Sequence, residues 1–345
     1  MAPAKHLAAV IREGGGFVEV KEVDVPKPGE NQVLVRVIAA SLNPTDWKTA
    51  KPPHKAGNVS GCDFAGIVEE LGPGAEATRK VGERVATLVT GGRSGNGSYA
   101  QYVVAKADFC MTIPDSWSFE DAAQLPIAVY TANQCLYQSL RFTPPPAPAA
   151  AEPTPILVYG ASSSVGCFVL QFARLGGLKV YATCSPKNYD LVRGFGADEV
   201  FDYRDPDAAK KIKEATGGKL KHAVDCISEW GSDKFISDAL SDDGGKVAII
   251  VPYNGTPRPN IQPIHSLAYD FILDRKSTGV SFIPDGPGWA KLNTDLLAQG
   301  KIRPAPIQVM PHGIASVNDA FQYMIDGKVS GVKLIFRISD TPGLQ

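Results

Sequence analysis

The stretch ILVYGASSSVG, residues 156–166, decides the fold of this 345-residue chain. A short apolar run leads into a turn that contains Gly160 and Gly166, and apolar residues at helical spacing follow. Backbone N–H groups and the positive end of a helix at such a turn bind a diphosphate, and small residues let it approach. Ser162, Ser163 and Ser164 stand where many dinucleotide folds use glycine, and they add hydroxyl donors. The turn predicts dinucleotide binding, and a tight turn without a ligand is the alternative.

Strands and helices alternate after this turn. Five strands are predicted, with a sixth candidate at Ser277–Phe282: Ile156–Tyr159, Lys179–Thr183, Glu199–Phe201, Lys221–Ile227 and Lys246–Val251. Helices are predicted at Val165–Leu175 and Tyr189–Phe195. This alternation indicates an α/β fold with a doubly wound parallel sheet. The first 110 residues are instead β-rich, with four strand candidates, Gln32–Ala40, Gly66–Glu70, Arg84–Val89 and Tyr99–Val104. A proline-rich stretch, residues 143–155, is predicted to be a surface loop between the two regions.

The end of the second strand indicates which dinucleotide is bound. Folds that prefer NAD place an acidic residue about 20 residues after the glycine turn, where it binds the ribose 2′-hydroxyl. Here the strand runs into Ser185, Pro186 and Lys187, and no carboxylate occurs before Asp190. A hydroxyl and a cation suit a 2′-phosphate, so the sequence favours NADP(H). The alternative for Lys187 is an ordinary solvated lysine.

Composition excludes several classes of function. The net charge is −1, which gives no general attraction to nucleic acid or to an anionic membrane. No apolar stretch approaches the roughly 20 residues that span a bilayer, and the N-terminus lacks a secretory cleavage pattern. The six cysteines are scattered without C-x-x-C pairs, which predicts reduced, buried thiols. We expect a cytoplasmic protein.

Motifs along the whole chain resemble the medium-chain dehydrogenase/reductase superfamily, in its zinc-independent branch. The chain looks closest to the fungal trans-acting enoyl reductases of polyketide pathways and shares most motifs with quinone oxidoreductases. The residues that carry the resemblance are NPTDWK (43–48), GCDFAG (61–66), VGERV (81–85), AQLP (123–126), VYGAS (158–162), TCSP (183–186), GADEVFDY (196–203), VDCI (224–227) and SG (330–331).

The resemblance implies a GroES-like catalytic domain, residues 1–125 and 288–345, and a Rossmann NADP-binding domain, residues 126–287. It also implies roles for individual residues. Cofactor contacts fall on Asp46, Trp47, Lys48, Gly160, Ser162, Ser163, Ser164, Val165, Gly166, Ser185, Pro186, Lys187, Asn188, Tyr203, Ile250, Val251, Ser330 and Gly331. Substrate contacts fall on Val129, Tyr130, Asn133, Leu136 and Phe282.

The residues at the zinc positions of alcohol dehydrogenases predict that no metal binds. The usual first cysteine is replaced by Leu42-Asn43-Pro44, and the usual Gly-His-Glu by Gly61-Cys62-Asp63. One thiol without partners cannot supply the three or so ligands that a catalytic zinc needs. Without a Lewis acid, alkene reduction is favoured over carbonyl–alcohol exchange, because the enolate needs only a hydrogen-bond donor and a proton.

The catalytic side chains are less clearly indicated. Lys48 is the candidate proton donor, although binding of the cofactor ribose or phosphate is an equal alternative. Thr131 is the candidate donor to the substrate carbonyl, or only a helix cap. Asn43 either takes part in the site or braces a loop. Solvent is a further candidate source of the proton that the α-carbon accepts.

The sequence thus predicts NADPH-dependent reduction of a carbon–carbon double bond conjugated to a carbonyl, in an enone or enoyl thioester. A carrier protein of a polyketide synthase is one way in which the substrate could be delivered. Reduction of quinones or 2-enals is the alternative activity, and a non-catalytic NADPH-binding partner or sensor is the alternative of another class. Both a monomer and a homodimer fit the sequence. Pro284 and Pro287 beside the sixth strand candidate tilt the expectation toward a monomer.

Overall fold

The computed structural model describes residues 2–14, 16–51, 56–146, 152–255, 258–273 and 285–344. The chain forms two compact units. The first unit comprises Met1–Ile127 and Tyr269–Gln345, and the second comprises Ala128–Ala268. The sequence predicts a catalytic domain, residues 1–125 and 288–345, and an NADP-binding domain, residues 126–287. These two domains stay a prediction.

The N-terminal part of the first unit is mostly strand. Its elements are β1 (Lys5–Ile11), β2 (Val18–Asp24), β3 (Gln32–Ser41), α1 (Pro44–Thr49), β4 (Asp63–Leu71), β5 (Arg84–Leu88), β6 (Tyr102–Lys106), β7 (Met111–Thr112) and α2 (Phe119–Ala123). Helix α3 (Leu125–Asn133) begins at the end of this segment, and most of its residues belong to the second unit. Helix α3 continues into a π-helix, Gln134–Ser139. Helix α2 begins after Ser118, whose hydroxyl accepts the Asp121 N–H.

The second unit alternates strand and helix. Its elements are β8 (Pro155–Tyr159), α4 (Ser164–Leu175), β9 (Lys179–Cys184), α5 (Tyr189–Gly194), β10 (Glu199–Asp202), α6 (Ala208–Ala215), β11 (His222–Asp225), α7 (Ser232–Ala239), β12 (Gly245–Ile249) and β13 (Ile261–His265). The six strands are parallel and lie in the order β10-β9-β8-β11-β12-β13. This order confirms the doubly wound sheet, whose switch point lies between β8 and β11.

The C-terminal part returns to the first unit. It contributes α8 (Asp270–Leu273), α9 (Asp285–Ala298), β14 (Ile307–Met310), α10 (Val317–Ile325) and β15 (Lys333–Arg337). Strands β14 and β15 extend the sheet β14-β15-β3-β4-β5-β7, in which β6 also pairs with β3. Phe321 and Phe336 are fully buried beside Tyr99, and the Tyr99 and Phe336 rings meet edge to face at 5.1 Å. The two ends of the chain therefore share one apolar core.

The sheet contains a sixth strand, β13, that the sequence analysis did not predict. Among the described residues, β13 pairs with β12 at the edge of the sheet. The candidate Ser277–Phe282 and Pro284 lie outside the described residues. Pro263 within β13 hides the strand pattern, and an edge position tolerates proline because no second neighbour needs its N–H. Pro287 lies in the first turn of α9.

Candidate functional site

The turn between β8 and α4 requires both of its glycines. Gly160 has φ of 73°, and a Cβ there would lie 2.5 Å from Ile227 Cγ1. A Cβ on Gly166 would lie 2.5 Å from the Gly160 carbonyl oxygen and 2.7 Å from Ala161 Cα. The Ala161 N–H donates to the Thr183 carbonyl at 2.9 Å, which ties the turn to β9. The backbone is thus held close to the helix N-terminus, as diphosphate binding needs.

The three serines of this turn are not equivalent. Ser163 caps α4, because its hydroxyl accepts the Gly166 N–H at 3.1 Å. The Ser164 hydroxyl is buried and has no hydrogen-bond partner among the described residues. Ser162 and Val165 are half-buried. An unsatisfied hydroxyl at the first turn of a twelve-residue helix fits an anionic ligand at this end.

The predicted 2′-phosphate residues follow β9 directly. Ser185 precedes a 3₁₀ turn, Pro186–Asn188, and its carbonyl accepts the Asn188 N–H at 2.9 Å. The Asn188 side-chain amide donates to the Ser185 hydroxyl at 3.3 Å. Lys187 is exposed and makes no hydrogen bond or ion pair with a described residue. Its ammonium group is therefore available to a ligand.

Arg204 is a further cation at this edge, and the sequence analysis missed it. The Asp202 carboxylate, at the end of β10 opposite Cys184, accepts two hydrogen bonds from the Arg204 guanidinium at 3.0 Å each. The guanidinium also lies 5.7 Å from the centroid of the exposed Tyr203 ring. The nearest acid on the neighbouring strand is thus already paired, which leaves it poorly suited to bind ribose hydroxyls.

A buried carboxylate organises the loops after β11 and β12. Asp225 Oδ1 accepts the Ile227 and Ser228 N–H groups at 3.0 and 2.7 Å, and Oδ2 accepts the Tyr253 hydroxyl at 2.9 Å. The Ser228 hydroxyl in turn accepts the Ile250 N–H at 3.0 Å. Burial raises the Asp225 pKa, which these hydrogen bonds partly offset. Ile250, and with it Val251, is therefore tied to the loop after β11, at the carboxyl edge of the sheet.

The predicted substrate residues lie on α3 and the π-helix. Val129, Tyr130, Asn133 and Leu136 are buried, as is Thr131, at 5% exposure. π-helical segments are frequent at functional sites. Phe282 lies outside the described residues. The contacts of these residues with substrate stay predictions.

Helix α1 of the first unit carries three of the predicted cofactor residues. Lys48 is exposed and lies 5.6 Å from the Trp47 ring centroid. The Asp46 side chain is only 1% exposed, because its Oδ2 accepts the Asn43 N–H at 2.7 Å and the Tyr99 hydroxyl at 2.9 Å. A carboxylate buried this way caps the helix, and the predicted cofactor contact of Asp46 stays a prediction. Ser330 and Gly331, before β15, are half-buried.

Asn43 joins α1 to a buried ion pair that the sequence did not reveal. Its side chain donates to Asp63 Oδ2 at 2.9 Å and accepts from the Lys333 ammonium at 2.6 Å. Lys333 lies 3.9 Å from Asp63, whose Oδ1 accepts the Ile127 N–H at 2.9 Å. Burial raises the pKa of Asp63 to about 7, although Lys333 opposes the rise, and burial lowers the pKa of Lys333. Asn43 thus braces its loop, which was one of the two alternatives.

The cysteines and the residues at the zinc positions are engaged within the protein. All six cysteines are free and buried, as predicted. Cys62 contacts the Tyr269 hydroxyl at 2.9 Å, and Asp63 is engaged by Asn43 and Ile127. Within the described ranges, no group of three or more His, Cys, Asp or Glu side chains could hold a metal ion. The described helices are also too short or too polar to cross a bilayer.

We expect the purified protein to contain far less than one zinc per chain by elemental analysis. Dialysis against a chelator should change its turnover by less than about twofold, since no structural or catalytic metal would be lost. Stoichiometric zinc that leaves together with activity would contradict this prediction.

Comparisons with known proteins agree with this geometry. Residues 29–115 match the alcohol dehydrogenase GroES-like domain, and residues 164–274 match the zinc-binding dehydrogenase family. The trans-enoyl reductase ACTTS2 of Alternaria alternata is 39% identical, over 96% of this chain and 98% of its own length. The chain belongs to the trans-enoyl reductase family. The trans-enoyl reductase RAP2 of Pyricularia oryzae is 35% identical, over 96% of this chain and 98% of its own length.

Solved structures show that this reductase shares its fold with a wider group. The CurK enoyl reductase superposes with a TM-score of 0.77 at 19% identity, over 96% of this chain and 99% of that one. The quinone oxidoreductase of Coxiella burnetii superposes with a TM-score of 0.74 at 22% identity, over 96% of this chain and 99% of that one. The predicted family, fold class and oxidoreductase class are confirmed. The second unit contains the family's dinucleotide-binding fold.

Proposed function

We propose that this reductase uses NADPH to reduce the double bond of an α,β-unsaturated acyl thioester, without a metal. The observation that carries the choice of cofactor is the end of β9, where Ser185 and the exposed Lys187 stand in place of an acid. The paired state of Asp202 supports the same choice, because a carboxylate neutralised by Arg204 repels a 2′-phosphate less than a free one would.

Each part of the second unit has a proposed role toward the cofactor. The helix N-terminus, with Ser162 and Ser164, binds the diphosphate, and Gly160 and Gly166 allow its close approach. Asp225 orients the loop that carries Ile250 and Val251 through Ser228 and Tyr253. When bound, NADPH supplies the hydride that the β-carbon of the substrate accepts.

The remaining task is to stabilise the negative charge that collects on the carbonyl oxygen. Thr131 is the proposed hydrogen-bond donor to that oxygen, and Lys48 is proposed either as a donor or as a cation that binds the cofactor. Val129, Tyr130, Asn133 and Leu136 are proposed to line the acyl chain, because three of them are apolar or aromatic. Ser330 and Gly331 are proposed to approach the nicotinamide half.

The curated relatives support the substrate class, because they are named trans-enoyl reductases. We infer that the acyl chain is a polyketide intermediate, carried as a thioester on a synthase carrier protein. A cytoplasmic location, supported by the six free cysteines, belongs to the proposal. The oligomeric state, a monomer or a homodimer, also belongs to the proposal.

Quinone or 2-enal reduction is the second candidate, and the shared fold of the Coxiella burnetii quinone oxidoreductase is the observation that favours it. The two activities differ in the acceptor alone. A non-catalytic NADPH-binding partner would keep the phosphate contacts and lose the reaction.

The test compares acceptors under one set of conditions. NADPH oxidation is followed with crotonyl-N-acetylcysteamine thioester, with a simple enal and with a benzoquinone. We expect kcat/KM to be at least about tenfold higher for the thioester, because catalysis depends on contacts made to the whole acyl group. A preference for the quinone would support the second candidate. NADPH binding without turnover on any acceptor would support the non-catalytic alternative.

A further inference from the structure

The loop between β11 and α7 presents a tryptophan to solvent. Trp230 is 88% exposed, although a tryptophan side chain is on average largely buried in folded proteins. Tyr203, after β10, is 45% exposed, and these two are the large apolar side chains that the described part of the second unit leaves exposed. One exposed ring does not by itself make a site. The backbone that carries Trp230 gives the second observation.

The backbone of this loop is strained at Trp230. Ser228 and Trp230 have φ of 59° and 55°, a left-handed conformation that a bulky side chain rarely adopts, and Gly231 follows at 84°. Such strain costs stability, and it is frequent at ligand-binding sites. Because the Trp230 ring is exposed, its own burial offsets little of that cost. The conformation is therefore better explained by binding than by packing.

The first half of the loop is fixed against the glycine turn. The Ser228 and Ile227 N–H groups donate to Asp225 Oδ1 at 2.7 and 3.0 Å. On the other side, a Cβ on Gly160 would lie 2.5 Å from Ile227 Cγ1, so Ile227 packs directly on the turn. The loop that carries Trp230 thus borders the proposed diphosphate site, and both belong to the second unit.

An adenosine held at the end of β9 is within reach of this loop. Strands β9, β8 and β11 are neighbours in the sheet, so the ends of β9 and β11 are about 10 Å apart, two strand spacings. The proposed 2′-phosphate contacts, Ser185 and Lys187, follow β9, and the adenine is joined to the ribose carbon next to the one that carries this phosphate. Between the two strand ends lies Tyr159, the last residue of β8, whose ring centroid is 5.1 Å from that of Phe235 on α7. An apolar base therefore meets an aromatic surface on its way to the loop.

We propose that Trp230 binds the adenine ring of NADPH by stacking on it. This inference rests on the proposed function. Stacking on a base needs an exposed π face, which Trp230 supplies and the phosphate contacts do not. Asp225 and Ile227 hold the base of the loop, so the ring is placed before the cofactor arrives. The contact is remote from the reacting nicotinamide, so we expect it to act on cofactor binding and to leave kcat unchanged.

The test uses adenosine 2′,5′-bisphosphate, which has the adenine and the phosphorylated ribose of NADPH but no nicotinamide. Trp230→Ala should raise its Kd, measured by calorimetry, about 10- to 100-fold, the range of base–aromatic stacking. Trp230→Phe keeps an aromatic face and should stay within about threefold of the wild type. Trp230→Leu is apolar without such a face and should bind as weakly as Trp230→Ala. In Trp230→Ala the KM for NADPH should rise and kcat should change less than about twofold.

Fluorescence gives a readout that a merely structural role would not move. The bisphosphate should quench part of the emission of the wild-type reductase, because a stacked adenine contacts the indole directly. The other three tryptophans, Trp47, Trp117 and Trp289, all lie in the first unit. Quenching should therefore disappear in Trp230→Phe even though this variant still binds the bisphosphate.

Val81→Ala is the matched control, because it shortens an apolar side chain that is 61% exposed in the first unit, and it should bind as the wild type. Thermal unfolding should show Trp230→Ala to be at least as stable as the wild type, since no buried contact is lost. Unchanged binding in Trp230→Ala, equal binding in Trp230→Leu and Trp230→Phe, or quenching that persists in Trp230→Phe would overturn the inference and leave the proposed function intact. A wild-type protein that binds neither the bisphosphate nor NADPH would overturn the proposed function, and the inference with it.

Discussion

Replacing Ser185 with aspartate and Lys187 with alanine is expected to weaken NADPH binding by at least about 100-fold and to leave NADH binding unchanged or tighter. Two charge-assisted contacts to the 2′-phosphate would be lost, each contributing about 1.5–3 kcal/mol. A new carboxylate at the end of β9 would also repel the phosphate and accept the ribose hydroxyls of NADH instead. The Asn188 N–H bond to the Ser185 carbonyl involves only the backbone, so the turn should survive the substitution.

The measurement is calorimetric titration with each dinucleotide at two ionic strengths. In the wild-type reductase, added salt should weaken NADPH binding more than NADH binding, because the phosphate contact is electrostatic. Lys210→Ala is the matched control, since Lys210 is an exposed lysine of the same unit that pairs with Glu214 at 3.9 Å. A double variant that still prefers NADPH by its wild-type ratio would refute the assignment and direct attention to Arg204.

The second unit could be predicted well because its signals are local. Twenty consecutive residues from Ile156 onward contain the apolar strand β8, the glycine turn and the helical spacing of α4. The pattern of neighbouring residues is therefore enough to predict these elements. The strands that the sequence missed lack such signals. In β2, four of seven side chains are exposed, and in β13 a proline interrupts the pattern.

The polar clusters could not be predicted, because tertiary folding brings their members together. Lys333 and Asn43 are 290 residues apart, and Tyr269 and Cys62 are 207 apart. In the sequence each is an isolated residue, and Lys333 resembles any lysine at a strand start. Only the order of the sheet, in which β15 pairs with β3 and β3 with β4, places Lys333 beside Asp63. A pairing between residues so far apart in the chain produces no periodic pattern in the sequence.

Lys333→Met is expected to destabilise the reductase by an amount that grows with pH. Asp63 has a raised pKa of about 7, so its stabilising effect is complete below pH 4 and is lost as the pH rises through 7. Without Lys333 the pKa of Asp63 rises further, and ionisation leaves a buried charge without a counter-ion. We expect a cost of about 1 kcal/mol near pH 5.5, where Asp63 is neutral, and of about 3–5 kcal/mol near pH 8.5.

Urea unfolding at the two pH values measures this cost, and Lys328→Met, at an exposed lysine paired with Asp326, is the matched control. Adding Asp63→Asn should recover most of the loss at high pH. With the ammonium absent, the Asn43 amide can turn so that its oxygen accepts from the new amide of residue 63, which cannot ionise. The double variant should therefore be more stable than the sum of the single changes by about 2 kcal/mol. A loss in Lys333→Met that is equal at both pH values would contradict this account, because the buried charge of Asp63 would then not be its cause.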